Sequence, residues 1–304
     1  MVSSRVPYAG AKEPDCEVLP MRAALARIVS TLLVLCLAAT AARAGSSAVT
    51  RSGSSPASSP PAVSFKATPV QRAHADGVDL AYREFGAGEP LLMVAGFGAT
   101  MNDWNPIFIG ILATRYHVYV YDHRGMGSSG DGGGSPSISR YARDAALLMK
   151  ELGHESMHVY GVSMGLSISQ QLVIDHPDRV RKLVLDSNAY SVRIPETKKL
   201  LKAIEAVSSN ASLPEGVRRE ARANLAWKGT WDQLAGIRKD VMLVVGTGDE
   251  LTPDSVSARM AAQIPGAWLV RFKKLPHVGS HYAPEEYGQN ALTFLRINVS
   301  PTKR

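Results

Sequence analysis

Short apolar, β-branched runs separated by amphipathic stretches of crossover length constrain this chain more than any other feature. Residues 91–95, 117–121, 157–160, 182–185 and 241–245 are mostly apolar along their length. They do not alternate, which is the pattern of strands buried on both faces. Residues 78–84 alternate with period two and predict a half-exposed strand, and 267–272 predict the last one. Segments 141–152, 164–174 and 255–263 have helical spacing, and 284–297 predict a closing helix. The alternation predicts an α/β fold, a mostly parallel sheet flanked by helices. In such sheets functional groups gather at the carboxyl ends of the strands.

The motifs can be read against that rule. Gly161-Val162-Ser163-Met164-Gly165 lies directly between a predicted strand and a predicted helix. A sharp strand-to-helix turn there presents Ser163 Oγ at a helix N-terminus, with glycines leaving room for close backbone approach. A serine alone is a poor nucleophile and needs a base and a group to orient that base. His277 and His281 are the two histidines that follow the last predicted strand. His277 is preferred, because Leu275-Pro276-His277-Val278-Gly279 is a turn-rich loop close to the strand end; His281 stays open as a surface residue or substrate contact. For the orienting carboxylate, Asp249 sits just past the 241–245 strand in Gly246-Thr247-Gly248-Asp249, with Asp186 at the end of 182–185 as its rival. The turn Gly96-Phe97-Gly98 follows another strand, so the backbone N–H of Phe97, with that of Met164 at the helix start, can face a developing oxyanion. Each piece also has a plainer reading: a βα turn at Gly96–Gly98, a turn-forming aspartate at 249.

The first seventy residues have a different character. In residues 21–44, Arg22 and Arg27 flank an apolar run over 28–42, followed by Ala42-Arg43-Ala44. This predicts an N-terminal extension and secretory signal over 1–44, cleaved after Ala44, with the signal starting at Met21 and residues 1–20 either a mis-called start or a long n-region. The protein is then secreted or periplasmic, or is tethered by an uncleaved signal with loose membrane association. The apolar run is short of the roughly 20 residues a spanning helix needs. Residues 45–69, dominated by Ser, Ala, Pro and Gly, predict a disordered spacer. The folded domain is expected over 70–298, followed by a tail over 299–304.

Composition excludes several classes. With 45% hydrophobic and 20% charged residues, the chain is not wholly disordered. Both cysteines, Cys16 and Cys36, precede residue 45, so the remainder can hold no disulfide and no cysteine metal site. The net charge of +7 contains no dense basic run, which argues against nucleic acid. Gly130-Asp131-Gly132-Gly133-Gly134 lacks a following Gly-Lys-Ser/Thr and predicts a flexible loop rather than a phosphate cradle. No histidine–carboxylate cluster has metal spacing. No cofactor or metal is expected, and no oligomeric state is read from the sequence.

Over about residues 74–298 the chain resembles the α/β-hydrolase superfamily. His74-Ala75-Asp76-Gly77-Val78-Asp79-Leu80-Ala81-Tyr82 resembles its opening hairpin, and Tyr121-Asp122-His123-Arg124-Gly125-Met126-Gly127-Ser128-Ser129 its DxRGxGxS loop. Gly161–Gly165 matches the nucleophile elbow, Gly246–Pro253 the acid loop and His277 the base loop, in the family's order Ser, Asp, His. The resemblance implies an esterase-like or lipase-like serine enzyme: Ser163, Asp249 and His277 as triad, Phe97 and Met164 N–H as oxyanion hole, and a small-molecule ester as substrate. Thioesterase, lactonase, amidase, carbon–carbon hydrolase and perhydrolase chemistry use the same triad and stay open. So does a non-catalytic binding protein on the same fold. Two departures are visible. The family often has His-Gly before the oxyanion residue, whereas this chain has Ala95-Gly96, so the turn must be supported from elsewhere, with Trp104 and Asn102 as candidates. The insert where the family places its helical cap is only about 55 residues here, implying a small cap over 187–240 and a rather open site.

Overall fold

The computed structural model describes residues 62–297. The apolar runs form one eight-stranded sheet: β1 (Gln71–Ala75), β2 (Val78–Phe85), β3 (Glu89–Val94), β4 (Tyr116–Tyr121), β5 (Met157–Val162), β6 (Val180–Asp186), β7 (Asp240–Gly246) and β8 (Trp268–Phe272). Their order is β1-β2-β4-β3-β5-β6-β7-β8. The β1–β2 and β2–β4 pairs are antiparallel and the rest are parallel. β1 and β2 turn through Asp76 (φ 48°) and Gly77 (φ 72°), the two successive positive-φ residues that a tight hairpin of matching twist requires. The fold expected from the sequence is the one found.

The inner strands read as continuous apolar runs because helices cover both faces. Leu92 and Val94 of β3 pack into one core with α2 (Ile138–Glu151), α3 (Met164–Asp175) and α7 (Asp254–Gln263). Leu91 and Met93 point the other way, into a core with α1 (Pro106–Ala113) and α8 (Pro284–Arg296). α1 was not among the helices expected. Its sequence, PIFIGILA, is apolar all round and carries no 3.6-residue period, as befits a helix buried between sheet and neighbour. Its start is nonetheless signalled: Asn105 Oδ1 accepts the Ile107 N–H at 2.9 Å, and Pro106 stands at the first helical position.

Two further expectations are corrected. The spacer does not run to residue 69, because the Val63 N–H donates to the Pro106 carbonyl at 3.1 Å and Phe65 packs edge-on against Phe85. Two apolar side chains with a ready surface outweigh the local Ser/Pro/Ala composition. The glycine run at 130–134 is bonded in place rather than loose: Arg219 donates to the Gly133 and Gly134 carbonyls and pairs with Asp131. The expected secretory signal and the last residues of the tail lie outside the described residues. Within them, no helix is long and apolar enough to cross a membrane.

Between β6 and β7 stand α4 (Lys198–Ser209), α5 (Glu215–Ala226) and the short α6 (Trp231–Leu234). α5 seats closely on the core, for a Cβ at Gly216 would overlap the Gly125 carbonyl oxygen. The loop it touches is internally braced. Asp122 accepts the Met101 and Ser128 N–H groups, each at 2.7 Å, and Arg124 forks onto Asp144 at 2.8 and 2.5 Å. Arg124 and Asp144 are both almost fully buried. Removing one partner leaves the other charge stranded, so Arg124→Met should cost about 3–5 kcal/mol in chemical denaturation; a loss under about 1 kcal/mol would contradict a buried, desolvated pair.

Candidate active site

The strand order reverses between β3 and β5. The chain leaves β3, adds β4 on one side and returns to lay β5 on the other, so the loops leaving β3 and β5 diverge and open a crevice at the carboxyl edge. The Gly96–Gly98 turn and Ser163 both leave the sheet here. A Cβ on Gly96 would lie 3.4 Å from that of Ser163.

Ser163 has φ 54° and ψ −118°, a region that non-glycine residues rarely occupy. Its neighbours make the turn possible. A Cβ on Gly161 would meet the Gly165 carbonyl oxygen at 2.5 Å, and one on Gly165 the Ala95 carbonyl oxygen at 2.5 Å. Ser163 N–H is held by the Asp186 carbonyl at 3.0 Å. Two more non-glycine residues with positive φ border the site, Ser187 (φ 60°) and Val278 (φ 56°), and the Ser187 hydroxyl accepts the Val278 N–H at 2.8 Å. Strain of this kind persists only where surrounding structure over-determines it.

Loops after three different strands then converge. His277 Nε2 lies 2.9 Å from Ser163 Oγ, and His277 Nδ1 lies 2.8 Å from Asp249 Oδ2. Asp249 is buried and fully bonded: Oδ1 accepts the Leu251 and Thr252 N–H groups at 2.9 and 2.8 Å, and Oδ2 the Thr252 hydroxyl at 2.7 Å. Burial pushes the Asp249 carboxyl up, but the His277 charge and the bonds from His277 and Thr252 outweigh it and hold the group below the usual carboxylate range. Burial likewise pulls His277 down, and the Asp249 charge and bond reverse this, leaving the imidazole above its ordinary value.

Asp186, the rival acid, makes no bond to the imidazole. It accepts from Tyr160, Ser187 and Ser280 hydroxyls at 2.9, 3.1 and 3.1 Å, and burial drives it up to about 6 against those bonds. His281 is exposed on the turn after His277 and lies outside the cluster. The Phe97 N–H donates to no acceptor among the described residues, and Met164 opens α3, where the first N–H groups have no helical partner. Neither candidate for supporting this turn bonds it. Trp104 is buried against Phe108 and Tyr160, and Asn102 is bonded to Arg83 at the surface. A small, partly open pocket lies beside Ser163, walled by Leu166, Val192, Leu200 and Ile204, with Asn224 among its polar residues. The cap thus supplies much of the wall. No group of residues fit to hold a metal ion occurs among the described residues.

Sequence reasoning missed Thr252, whose hydroxyl also lies 3.3 Å from His277 Nδ1, and Glu220, a buried cap carboxylate bonded to Gly98. Thr252 could have been found as the residue three beyond an aspartate in a turn, a position suited to bonding back onto the carboxylate. With Asp249 changed to Asn, burial becomes the dominant influence on His277. Its imidazole should then titrate below the ordinary value near 6.5 instead of above it, as read by NMR. An unchanged titration would disprove the coupling.

Residues 89–207 match the model of the alpha/beta hydrolase fold family. A protein of Azorhizobium caulinodans, provisionally named carbamate hydrolase RutD, is 30% identical over 258 residues, spanning 73% of this chain and 97% of its own length. A Mycobacterium tuberculosis protein, provisionally named non-heme bromoperoxidase BpoC, is 26% identical over 258 residues, or 71% of this chain and 97% of its own. Among solved structures, a thermophilic esterase from Thermogutta terrifontis superposes with a TM-score of 0.67 at 22% identity, covering 75% of this chain and 98% of the esterase, and shares the fold. Identity across nearly the whole of the Azorhizobium protein, on a sheet of this order and direction, makes the chain a hydrolase of the α/β-hydrolase superfamily.

Proposed function

We propose that this hydrolase cleaves carboxylic esters through an acyl-enzyme on Ser163. The observation that carries the reading is the unbroken chain Ser163 Oγ, His277, Asp249, with both links under 3 Å. In it His277 Nε2 takes the Ser163 proton as Oγ bonds to the ester carbonyl carbon. Asp249 holds the imidazole in the required tautomer and stabilises its cation. The oxyanion is received by the Phe97 and Met164 N–H groups. Collapse breaks the bond to the alcohol oxygen, which leaves with the proton from His277. Water adds to the acyl carbon, giving its proton to the same imidazole, and the acid departs as Ser163 is reprotonated. No metal or cofactor is assigned a part.

The pocket walled by Leu166, Val192, Leu200 and Ile204 supports short or medium acyl groups. The provisional name of the Azorhizobium relative favours a second reading, a carbamate in place of the ester, cleaved by the same steps. Residues 21–44 are proposed to export the protein, with a retained signal as a tether in the alternative.

The test is hydrolysis of chromogenic esters from acetate to palmitate. Turnover should peak at short or medium chains, and Ser163→Ala, His277→Ala and Asp249→Asn should each lower kcat by about 10⁴-fold. His281→Ala should leave it near wild type. Near-wild-type turnover by Ser163→Ala would sink the assignment. Absence of turnover, with no fluorophosphonate labelling of Ser163, would leave a binding protein. Because the neutral imidazole is the base, activity should rise with pH through a midpoint above the ordinary histidine value; a flat profile between about pH 6 and 8 would contradict a histidine base.

A further inference from the structure

Glu220 lies in the middle of α5, on the cap, and its side chain has no exposure to solvent. A carboxylate in that position costs several kcal/mol unless its oxygens are bonded. Both are. Oε2 accepts the Gly98 N–H at 2.7 Å, and Oε1 lies 2.9 Å from His123 Nδ1. The two partners belong to different core loops, after β3 and after β4, and one cap side chain joins them.

The Gly98 bond matters because of the turn it holds. Ala99 N–H donates to the Gly96 carbonyl at 3.2 Å, so Phe97 and Gly98 are the central residues of a four-residue turn. Gly98 has φ +73°, the value that the third residue of a type II turn takes. The soft motion of such a turn is a flip of its central peptide, here Phe97–Gly98. The flip moves glycine to negative φ at little steric cost and changes ψ of Phe97, so the turn loses its fixed form on the carboxyl side of the Phe97 N–H. In the flipped state the Phe97 carbonyl would face the Glu220 carboxylate, acceptor against acceptor, and the Gly98 N–H would lose its partner. Glu220 therefore selects one of two turn states. Among the described residues no other side chain bonds this turn, and the residue before it is Ala95.

We infer that Glu220 is a positioning residue of the reaction: from the cap, it fixes the central peptide of the Gly96–Ala99 turn and so anchors beside Ser163 the segment that carries the Phe97 N–H. The inference rests on the ester-hydrolase reading above. It makes the oxyanion hole depend on the seating of α5, so that the cap both walls the acyl pocket and completes the catalytic geometry. His123 keeps the carboxylate in place from its other side.

The test compares Glu220→Met, which keeps the length of the side chain and removes the acceptor, with Glu220→Gln, whose carboxamide oxygen can still accept the Gly98 N–H. The full chain is used with a chromogenic ester and with an alkylboronic acid, whose tetrahedral adduct on a serine needs the oxyanion donors. Glu220→Met should lose about 10- to 100-fold in kcat, less than deletion of a donor outright, with KM nearly constant and boronate affinity falling in parallel. Glu220→Gln should recover most of both. In the wild type, the Gly98 amide should exchange slowly with deuterium, and the exchange should quicken in Glu220→Met. Unchanged kcat in a folded Glu220→Met, or a rise in KM with boronate affinity intact, would overturn the inference. If that variant does not fold, rapid exchange of the wild-type Gly98 amide would overturn it instead, and slow exchange with wild-type-like kinetics in Glu220→Gln would uphold it. Failure of the underlying reading is distinct, since wild type would then turn over no ester and bind no boronate at Ser163.

Discussion

The backbone of Ser163 sets the terms for everything around it. A serine held at φ 54° and ψ −118° persists only where the chain on both sides leaves no alternative. Here β5 is paired on one edge to β3 and on the other to β6, and α3 begins at the next residue. The strand cannot slip and the helix cannot unwind without losing core contacts. Gly161 and Gly165 are fixed by the same geometry, because a methyl at either would strike backbone oxygen. The outcome is a hydroxyl standing clear of the sheet at a helix start. Strain of about 1–3 kcal/mol at such a residue is held by packing that surrounds the site rather than by contacts within it.

Two carboxylates lie near the imidazole, and their surroundings separate them. Asp249 takes three hydrogen bonds from residues of its own turn in addition to that of His277, so it stays ionised although buried. Asp186 is met by three hydroxyl groups and no backbone N–H, and burial prevails in raising its proton affinity. Groups pushed apart in this way take different parts. Asp249 meets His277 Nδ1 and raises the proton affinity of the imidazole. Asp186 ties the β5 and β6 ends, through its carbonyl to Ser163 N–H and through its side chain to the turn that follows His277.

What could be read from the sequence follows a physical division. The sheet, the elbow at Ser163 and the turn at Asp249 rest on local demands: periodicity, close approach of glycine, an aspartate that bonds its own loop. Such demands restrict residue types within a few positions, so they leave a pattern. α1 left only its Asn105-Pro106 start and no period, because a helix buried on nearly all sides has no polar face. Val63 and Phe65 were masked by the polar segment around them. Glu220 was the least legible, since a glutamate among arginines on an amphipathic helix predicts a solvated face. Its partner Gly98 is 122 residues away, and only the assembled fold brings the two together. The choice between Asp249 and Asp186 was intermediate, for both end buried strands and only loop geometry separates them.

The proposed chemistry requires a covalent bond at Ser163. The direct measurement is to quench the protein with acid during turnover of a chromogenic butyrate ester and to map the acylated peptide by mass spectrometry. A single acyl group on Ser163, appearing with a burst of one released chromophore per chain and absent when His277 is replaced by alanine, is the predicted result. Continued hydrolysis with no acyl group on the chain, or with the acyl group on another residue, would contradict it.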